Sequence, residues 1–251
     1  MAADPAQSPS APERAERYPP YPASVVDQFL AWVDRLRLPA WLFYLLLLVL
    51  LIIIFNSLAW IDGSLSFPTL EVYRSSVPVY PVASLALVHY LNRLARRALA
   101  AFRPALGVAN SEYERLEYML VTLPRRGTWN TIALSLLFTA AYIYLTPYLA
   151  ALFRRSPVVA MVEFVAYAFT FAMIAVFIYH IIRQLRMVSL IHASATNINL
   201  FSRTPLYAFS KLTAQTGIGL LLMNYFGVLT DPATFQNLAL ITLTIAASLV
   251  A

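Results

Sequence analysis

Glu163 is an acidic side chain inside a long apolar stretch of the chain. An isolated charge in hydrocarbon costs at least about 2.5 kcal/mol, so a carboxylate there usually serves an ion or proton path or pairs with a cation. Arg154, Arg155 and Lys211 are basic residues that could pair with it. The pattern therefore leaves two interpretations open, an ion-coupling residue of a transporter and a structural ion pair near the outer headgroups.

A second group of polar residues lies in the apolar segment over residues 206–226. At 100° per residue these side chains occupy more than one face of a helix, and neither face suits lipid. Small residues let helices approach closely, and hydroxyl or amide groups form hydrogen bonds between helices. The sequence therefore predicts that this helix lies in the middle of a bundle. The candidate residues for a transport path here are Lys211, Thr213, Gln215, Gly217 and Gly219.

Two histidines could act as metal ligands. His89 lies four residues before Arg93, and His180 lies three residues before Arg183, which places both imidazoles about one turn inside the same membrane face. Two histidines at equal depth on different helices are the arrangement that axial haem ligation in a helical bundle requires. The alternative is that both are interfacial histidines that form hydrogen bonds with neighbouring groups or with lipid headgroups.

Arginines cluster after the fourth apolar segment. Arg183, Arg186 and Arg203 flank a polar, amphipathic stretch that the sequence predicts to be a surface helix over residues 187–201. Such a face could bind anionic lipid headgroups, although it could equally be solvated. These three arginines are therefore candidate headgroup ligands.

Several functions are disfavoured by the composition. Cysteine is absent, which excludes disulfides, thiolate metal sites and cysteine nucleophiles. No metalloprotease, serine hydrolase or phosphate-loop motif is present, so we assign no catalytic residue, metal or cofactor and favour a protein that is not an enzyme. The basic residues do not alternate with aromatics on a soluble region, so we predict no nucleic-acid partner.

The chain has the composition of an integral membrane protein. It is 60% hydrophobic and only 12% charged, far below the charge content of about 25% in soluble domains. Residues 1–22 are rich in proline, alanine, serine and charge, which predicts a disordered tail before a membrane domain over residues 23–251. The fold class is all-α, with six transmembrane helices predicted near 41–60, 77–92, 131–152, 158–182, 206–226 and 235–251.

The predicted helices form three similar units. Pro39, Pro124 and Pro205 each open an odd-numbered span, and each follows a stretch with amphipathic helical periodicity. Ser24 with Asp27, and Ser111 with Glu114, have the spacing of helix capping boxes in the first two of these stretches. The pattern is consistent with three tandem hairpins, each preceded by a cytoplasmic surface helix, or with proline simply marking each junction between helices.

The distribution of arginine predicts the orientation. Most arginines lie on the side of the N-terminus, so the N-terminus is expected inside a bacterial cytoplasmic membrane. The last apolar segment still continues at Ala251, which suggests that the chain is truncated at its C-terminus. We expect the lipid bilayer as partner, and a homo-oligomer is compatible with the sequence. A non-catalytic module for anchoring or sensing, coupled to a cytoplasmic region, is the favoured function, with a small-solute or ion transporter and a haem protein as alternatives.

Overall fold

A computed structural model describes residues 19–61, 63, 65–145, 157–194, 207 and 209–230 of the 251-residue chain. Every regular element in these ranges is a helix, which confirms the all-α fold class. The sixth predicted span and Arg154, Arg155 and Arg203 lie outside the described residues. The helices are α1 (Val25–Arg35), α2 (Ala40–Ile61), α3 (Val72–Ser76), α4 (Val79–Leu106), α5 (Asn110–Val121), α6 (Arg125–Leu145), α7 (Pro157–Ala193) and α8 (Ser210–Thr230).

Three of these helices are long and apolar enough to cross a membrane. They are Ala40–Ile61, the part of α7 over Ala160–Ala193, and Ser210–Thr230. These segments correspond to the first, fourth and fifth spans expected from the sequence. Within the described residues, three helices are therefore compatible with insertion of the chain into a membrane.

The centre of the bundle is α4. It packs against α7, α8, α5 and α2, and its residues Leu91, Ala95 and Leu99 are fully buried. By contrast α8 packs mainly on α4 along one face, where Leu212 and Thr216 are buried. Among the described helices, α4 and not α8 therefore holds the middle of the bundle, since polar and small residues indicate faces that avoid lipid but not which helix covers them.

The pairs α4/α7 and α6/α7 are set by specific contacts. The ring of Phe102 in α4 lies 5.0 Å from the ring of His192 in α7, near the end of both helices. Gly127 of α6 lies directly against the phenol of Tyr179 in α7, where no side chain beyond hydrogen would fit. Phe138 and Phe171 meet farther along the same pair, with ring centroids 5.1 Å apart, so α6 and α7 run antiparallel.

The first predicted helix cap forms and the second does not. Ser24 and Asp27 make the reciprocal hydrogen bonds of a capping box at the start of α1. α5 begins at Asn110, one residue before Ser111, and its N-cap Ala109 has no capping side chain. Ser111 is thus already inside the helix, where its hydroxyl cannot cap the free amides, and the prediction of a capping box with Glu114 was wrong.

The amphipathic stretch before α8 starts inside α7. Residues Met187 to Ala193 continue the helix that began at Pro157 without a break. No glycine or proline interrupts the chain between Arg183 and Ala193, so no residue ends the helix there. The surface helix predicted over residues 187–201 is therefore an extension of α7 as far as Ala193, and its remainder lies outside the described residues.

The segment before α1 pairs with the linker before α6. Ala23 and Pro124 form an isolated antiparallel bridge. Ser24 N donates to Leu123 O at 3.1 Å, and Arg125 N donates to Pro22 O at 3.1 Å. Pro22, which the sequence placed in the disordered tail, is thus held by a backbone hydrogen bond.

Candidate functional site

Helix α1 crosses one end of the bundle and is fixed along its whole length. Its apolar face, Val26, Leu30 and Val33, is buried in the core that also contains α4. Polar residues hold the two ends of the helix in different ways. These two polar clusters are the candidate functional site, because they join α1 to α2, α4 and α7, of which α2 and α7 are long and apolar enough to cross a membrane.

The first cluster, which we call the N-terminal junction, consists of Tyr21, Asp27, Tyr118, Thr122 and Arg183. The hydroxyl of Tyr21 donates to Thr122 O at 2.9 Å, while Tyr118 Oη donates to Tyr21 O at 2.8 Å. Arg183 donates through its guanidinium to the Tyr21 hydroxyl and lies over the ring at 4.9 Å from its centroid. One arginine of α7 therefore holds a segment that precedes α1.

Asp27 provides the acceptor of the same junction. Its carboxylate accepts hydrogen bonds from Ser24 Oγ at 2.6 Å and from the backbone amide of Leu123 at 2.9 Å. Burial raises the pKa of the Asp27 carboxyl above its usual value, although these hydrogen bonds oppose the shift. Asp27 thus takes part in the capping box of α1 and also binds the linker before α6.

The second cluster holds the other end of α1 and contains Asp34, Tyr44, His89 and Arg93. His89 Nδ1 lies 3.0 Å from Tyr44 Oη, and His89 Nε2 lies 3.1 Å from Asp34 Oδ1. Arg93 donates to the same Asp34 oxygen at 2.5 Å. Because a carboxylate only accepts, Nε2 of His89 carries the proton, and in the neutral ring Nδ1 accepts from Tyr44.

The charge of Asp34 is stabilised by these contacts. Its partial burial would raise the pKa of the carboxyl, but the hydrogen bonds from Arg93 and His89 lower it overall. Both ring nitrogens of His89 are engaged in this chain, so ligation of a haem iron would have to break one of the two hydrogen bonds. The two ring nitrogens through which His89 could bind a haem iron are thus hydrogen-bonded to Tyr44 and Asp34.

Glu163 pairs with a residue that the sequence did not suggest. Its carboxylate lies 3.3 Å from the guanidinium of Arg74, and both side chains are largely buried. Arg74 also contacts Glu71, the N-cap residue of the short helix α3, at 3.5 Å. Arg74 lies between the first two predicted spans, and its distance of 89 positions from Glu163 gave no local signal for the pair.

The polar residues of α8 are divided between its faces. Gly219 is buried against Leu87 of α4, whose side chain would lie 3.2 Å from a β-carbon at that position. Gln215 accepts a long hydrogen bond of 3.5 Å from the hydroxyl of Tyr90. Lys211 and Thr213 are exposed in the described part of the bundle, and Gly217 has open space beside it. The five candidates for a transport path therefore do not converge on one site in the described helices.

The remaining candidates lie along α7. His180 is buried, with only 2% of its surface exposed, while Arg186 is exposed. Within the described ranges, no group of three or more histidine or acidic side chains is placed so that it could hold a metal ion. The guanidinium of the half-buried Arg183 is directed into the N-terminal junction.

No known protein family, curated protein or solved structure matches the chain significantly.

Proposed function

We propose that this protein is a non-catalytic membrane module that transmits changes in its membrane-crossing helices to a helix layer at the cytoplasmic surface. The observation that carries the proposal is the course of α7. This helix contains Glu163 near one end and Arg183 near the other, without interruption between them. A displacement of α7 would therefore act directly on the N-terminal junction.

The length of α7 supports this proposal. Its 37 residues extend over about 55 Å at 1.5 Å per residue, whereas a hydrocarbon core is about 30 Å thick. A substantial part of the helix therefore projects beyond the lipid. There it packs on α5 and on the C-terminal half of α4, together with the buried residues Leu120, Val188 and Ile191.

The proposed topology has six membrane crossings with the N-terminus in the cytoplasm. The positive-inside rule supports this orientation, since Arg93, Arg96, Arg97 and Arg103 follow the predicted second span on the same side as α1. We further propose that the membrane is the cytoplasmic membrane of a bacterium. In this topology the ion pair between Arg74 and Glu163 lies towards the outer face and the N-terminal junction lies inside.

Hydrogen exchange tests the proposed transmission. Glu163→Gln removes the charge that Arg74 balances at the outer end of α7. We expect faster amide exchange at Ser24, Asp27 and Leu123, at the opposite end of the bundle, when the reconstituted variant is compared with the wild type by mass spectrometry. The amides of α2 should keep their exchange rates, because that helix is not part of the proposed path.

Glu71→Gln is the matched control. It also removes one negative charge that contacts Arg74, but Glu71 is half exposed and lies outside α7. We expect no change at the N-terminal junction in this variant. If amide exchange at the junction is unchanged in Glu163→Gln, transmission is rejected. The protein would then act only as a membrane anchor.

A transporter is the second candidate, because a largely buried acidic residue in a membrane helix is typical of ion-coupled transport. The ion pair with Arg74 supplies the observation, since a proton taken up by Glu163 would release this arginine. Proton flux into proteoliposomes tests it directly. A flux that Glu163→Gln abolishes and Glu71→Gln preserves would favour the transporter over the transmitting module.

A further inference from the structure

Buried polar atoms without partners are concentrated where α4 meets α7. Asn92 of α4 and His180 and Gln184 of α7 have 8%, 2% and 1% of their surfaces exposed. Asn92 Oδ1, His180 Nε2 and both amide atoms of Gln184 have no hydrogen-bond partner among the residues that the structure describes, and neither does Nε of the neighbouring Arg183. Because most buried polar groups in proteins are paired, so many in one region require an explanation.

The register of the two helices places these side chains at the same height. Phe102 contacts His192, which is 90 positions later. At the other end Arg74, just before α4, contacts Glu163, which is 89 positions later. The two helices therefore run parallel with a constant offset, and Asn92 lies level with residue 182. His180 and Gln184 are then about 3 Å above and below that level, at 1.5 Å per residue.

The side chains also lie on the facing sides of the helices. On α4, Leu87 faces α8 and His89 faces α2, as their contacts with Gly219 and Tyr44 show. Phe102 of α4 contacts His192 of α7. At 100° per residue, the buried Asn92 lies about 60° from His89 and about 80° from Phe102, between the directions of α2 and α7.

On α7 the corresponding buried side is marked by apolar residues. Phe177, Ile181 and Val188 share the face of His180 and Gln184 at helical spacing, and all belong to the core that contains α4. Tyr179 points in another direction, towards Gly127 of α6. The unpaired groups of α4 and α7 therefore meet inside one interface.

The chemistry of these atoms identifies the class of occupant. Gln184 Nε2 and Arg183 Nε are donors, Asn92 Oδ1 and Gln184 Oε1 are acceptors, and the imidazole nitrogen can serve as either. Two amide oxygens disfavour an anion, and the arginine disfavours a metal cation. An uncharged molecule that both donates and accepts satisfies the whole set, and buried water normally makes two to four such hydrogen bonds.

We propose that the α4/α7 interface around Asn92, His180 and Gln184 is an internal hydration site that holds ordered water within the bundle. The water bridges Asn92 to Gln184 and His180 and extends the hydrogen-bonded network to Arg183. The N-terminal junction and the helix interface thereby share one polar network. This site stands independently of the proposed function, since it requires neither transmission nor transport.

Hydroxyl-radical footprinting with synchrotron X-rays tests the site, because bound water is a local source of radicals for side chains that bulk solvent does not reach. His180 in the full-length reconstituted protein should be oxidised several-fold more than Phe209, which is equally buried but packs on Phe102 and His192. Gln184→Leu, which removes two of the unpaired atoms, should reduce the oxidation of His180 to the level of Phe209.

Asn92→Leu is the second variant and acts from the opposite helix. It should also suppress the oxidation of His180, while Phe209 remains protected as the measure of a folded core in both variants. If Gln184→Leu does not fold, Asn92→Leu alone decides. Oxidation of His180 no greater than that of Phe209 in the wild type, or oxidation that persists in a folded leucine variant, would overturn the hydration site.

Discussion

Arg183 in α7 donates a hydrogen bond to the hydroxyl of Tyr21, a residue 162 positions earlier in the chain. The same hydroxyl donates to the carbonyl of Thr122. A single phenol thus joins the segment before α1, the linker after α5 and the long helix α7.

Tyr21→Phe should loosen the junction. The change removes the hydroxyl that accepts from the Arg183 guanidinium and donates to the Thr122 carbonyl, which should cost about 1–3 kcal/mol. Denaturant unfolding of the purified protein measures the loss, and limited proteolysis should cleave more rapidly before α1. Tyr90→Phe is the control, because its exposed hydroxyl makes only a hydrogen bond of 3.5 Å to Gln215, and its stability should equal that of the wild type.

Asp34 should stabilise the fold in a manner that depends on pH. Hydrogen bonds from Arg93 and His89 lower the pKa of this carboxyl overall, despite its partial burial. Its contribution is therefore fully present above the unfolded value of about 3.9 and is lost as the pH falls through the lower folded pKa. Unfolding of the wild type and Asp34→Asn should differ by a constant amount above about pH 5, and the difference should shrink in more acidic solution. A difference that grows on acidification would contradict this assignment.

Asp27 should show the opposite dependence. Burial raises the pKa of its carboxyl, so the folded state holds the proton more tightly than the unfolded state. This contribution to stability is present below the unfolded value of about 3.9 and is lost as the pH rises through the folded pKa. The advantage of the wild type over Asp27→Asn in unfolding experiments should therefore decrease from acidic to neutral solution. An advantage that increases over this range would show that the hydrogen bonds from Ser24 and Leu123 outweigh burial.

Gly127→Ala should weaken the packing of α6 on α7. A β-carbon at this position would overlap with the hydroxyl of Tyr179, and such overpacking should cost about 1–3 kcal/mol. Thermal unfolding measures the loss, and Tyr179→Phe in the same chain should restore part of it by removing the overlapping oxygen.

Gly217→Ala is the matched control for this packing argument. A β-carbon there meets no atom of the described residues within 4 Å, so the better helix propensity of alanine should make this variant at least as stable as the wild type, by up to about 1 kcal/mol. Equal losses of stability at Gly127 and Gly217 would show that close approach of the helices does not determine either effect.

The local features of the helices could be predicted from the sequence alone. Apolar stretches of about 20 residues predict the positions of α2, α7 and α8, because the thickness of the hydrocarbon determines the required length. Ser24 and Asp27 are three residues apart, so their capping box depends on local geometry alone, and it forms as predicted. The proline of the Leu123–Pro124 pair likewise precedes α6.

The partners of the functional groups depended on tertiary structure. The sequence indicated that Glu163 needs a cation, but Arg74 became that cation only because α3 and the start of α7 meet in the bundle. The polar and small residues of α8 indicated faces that avoid lipid without indicating which helices cover them, and among the described helices α4 rather than α8 lies at the centre. His89 could be selected as a polar group in an apolar helix, but only the packing of α1 and α2 on α4 showed that Asp34 and Tyr44 occupy both of its nitrogens. Contacts over such separations produce no periodic pattern in a single sequence, because they depend on the mutual orientation of whole helices.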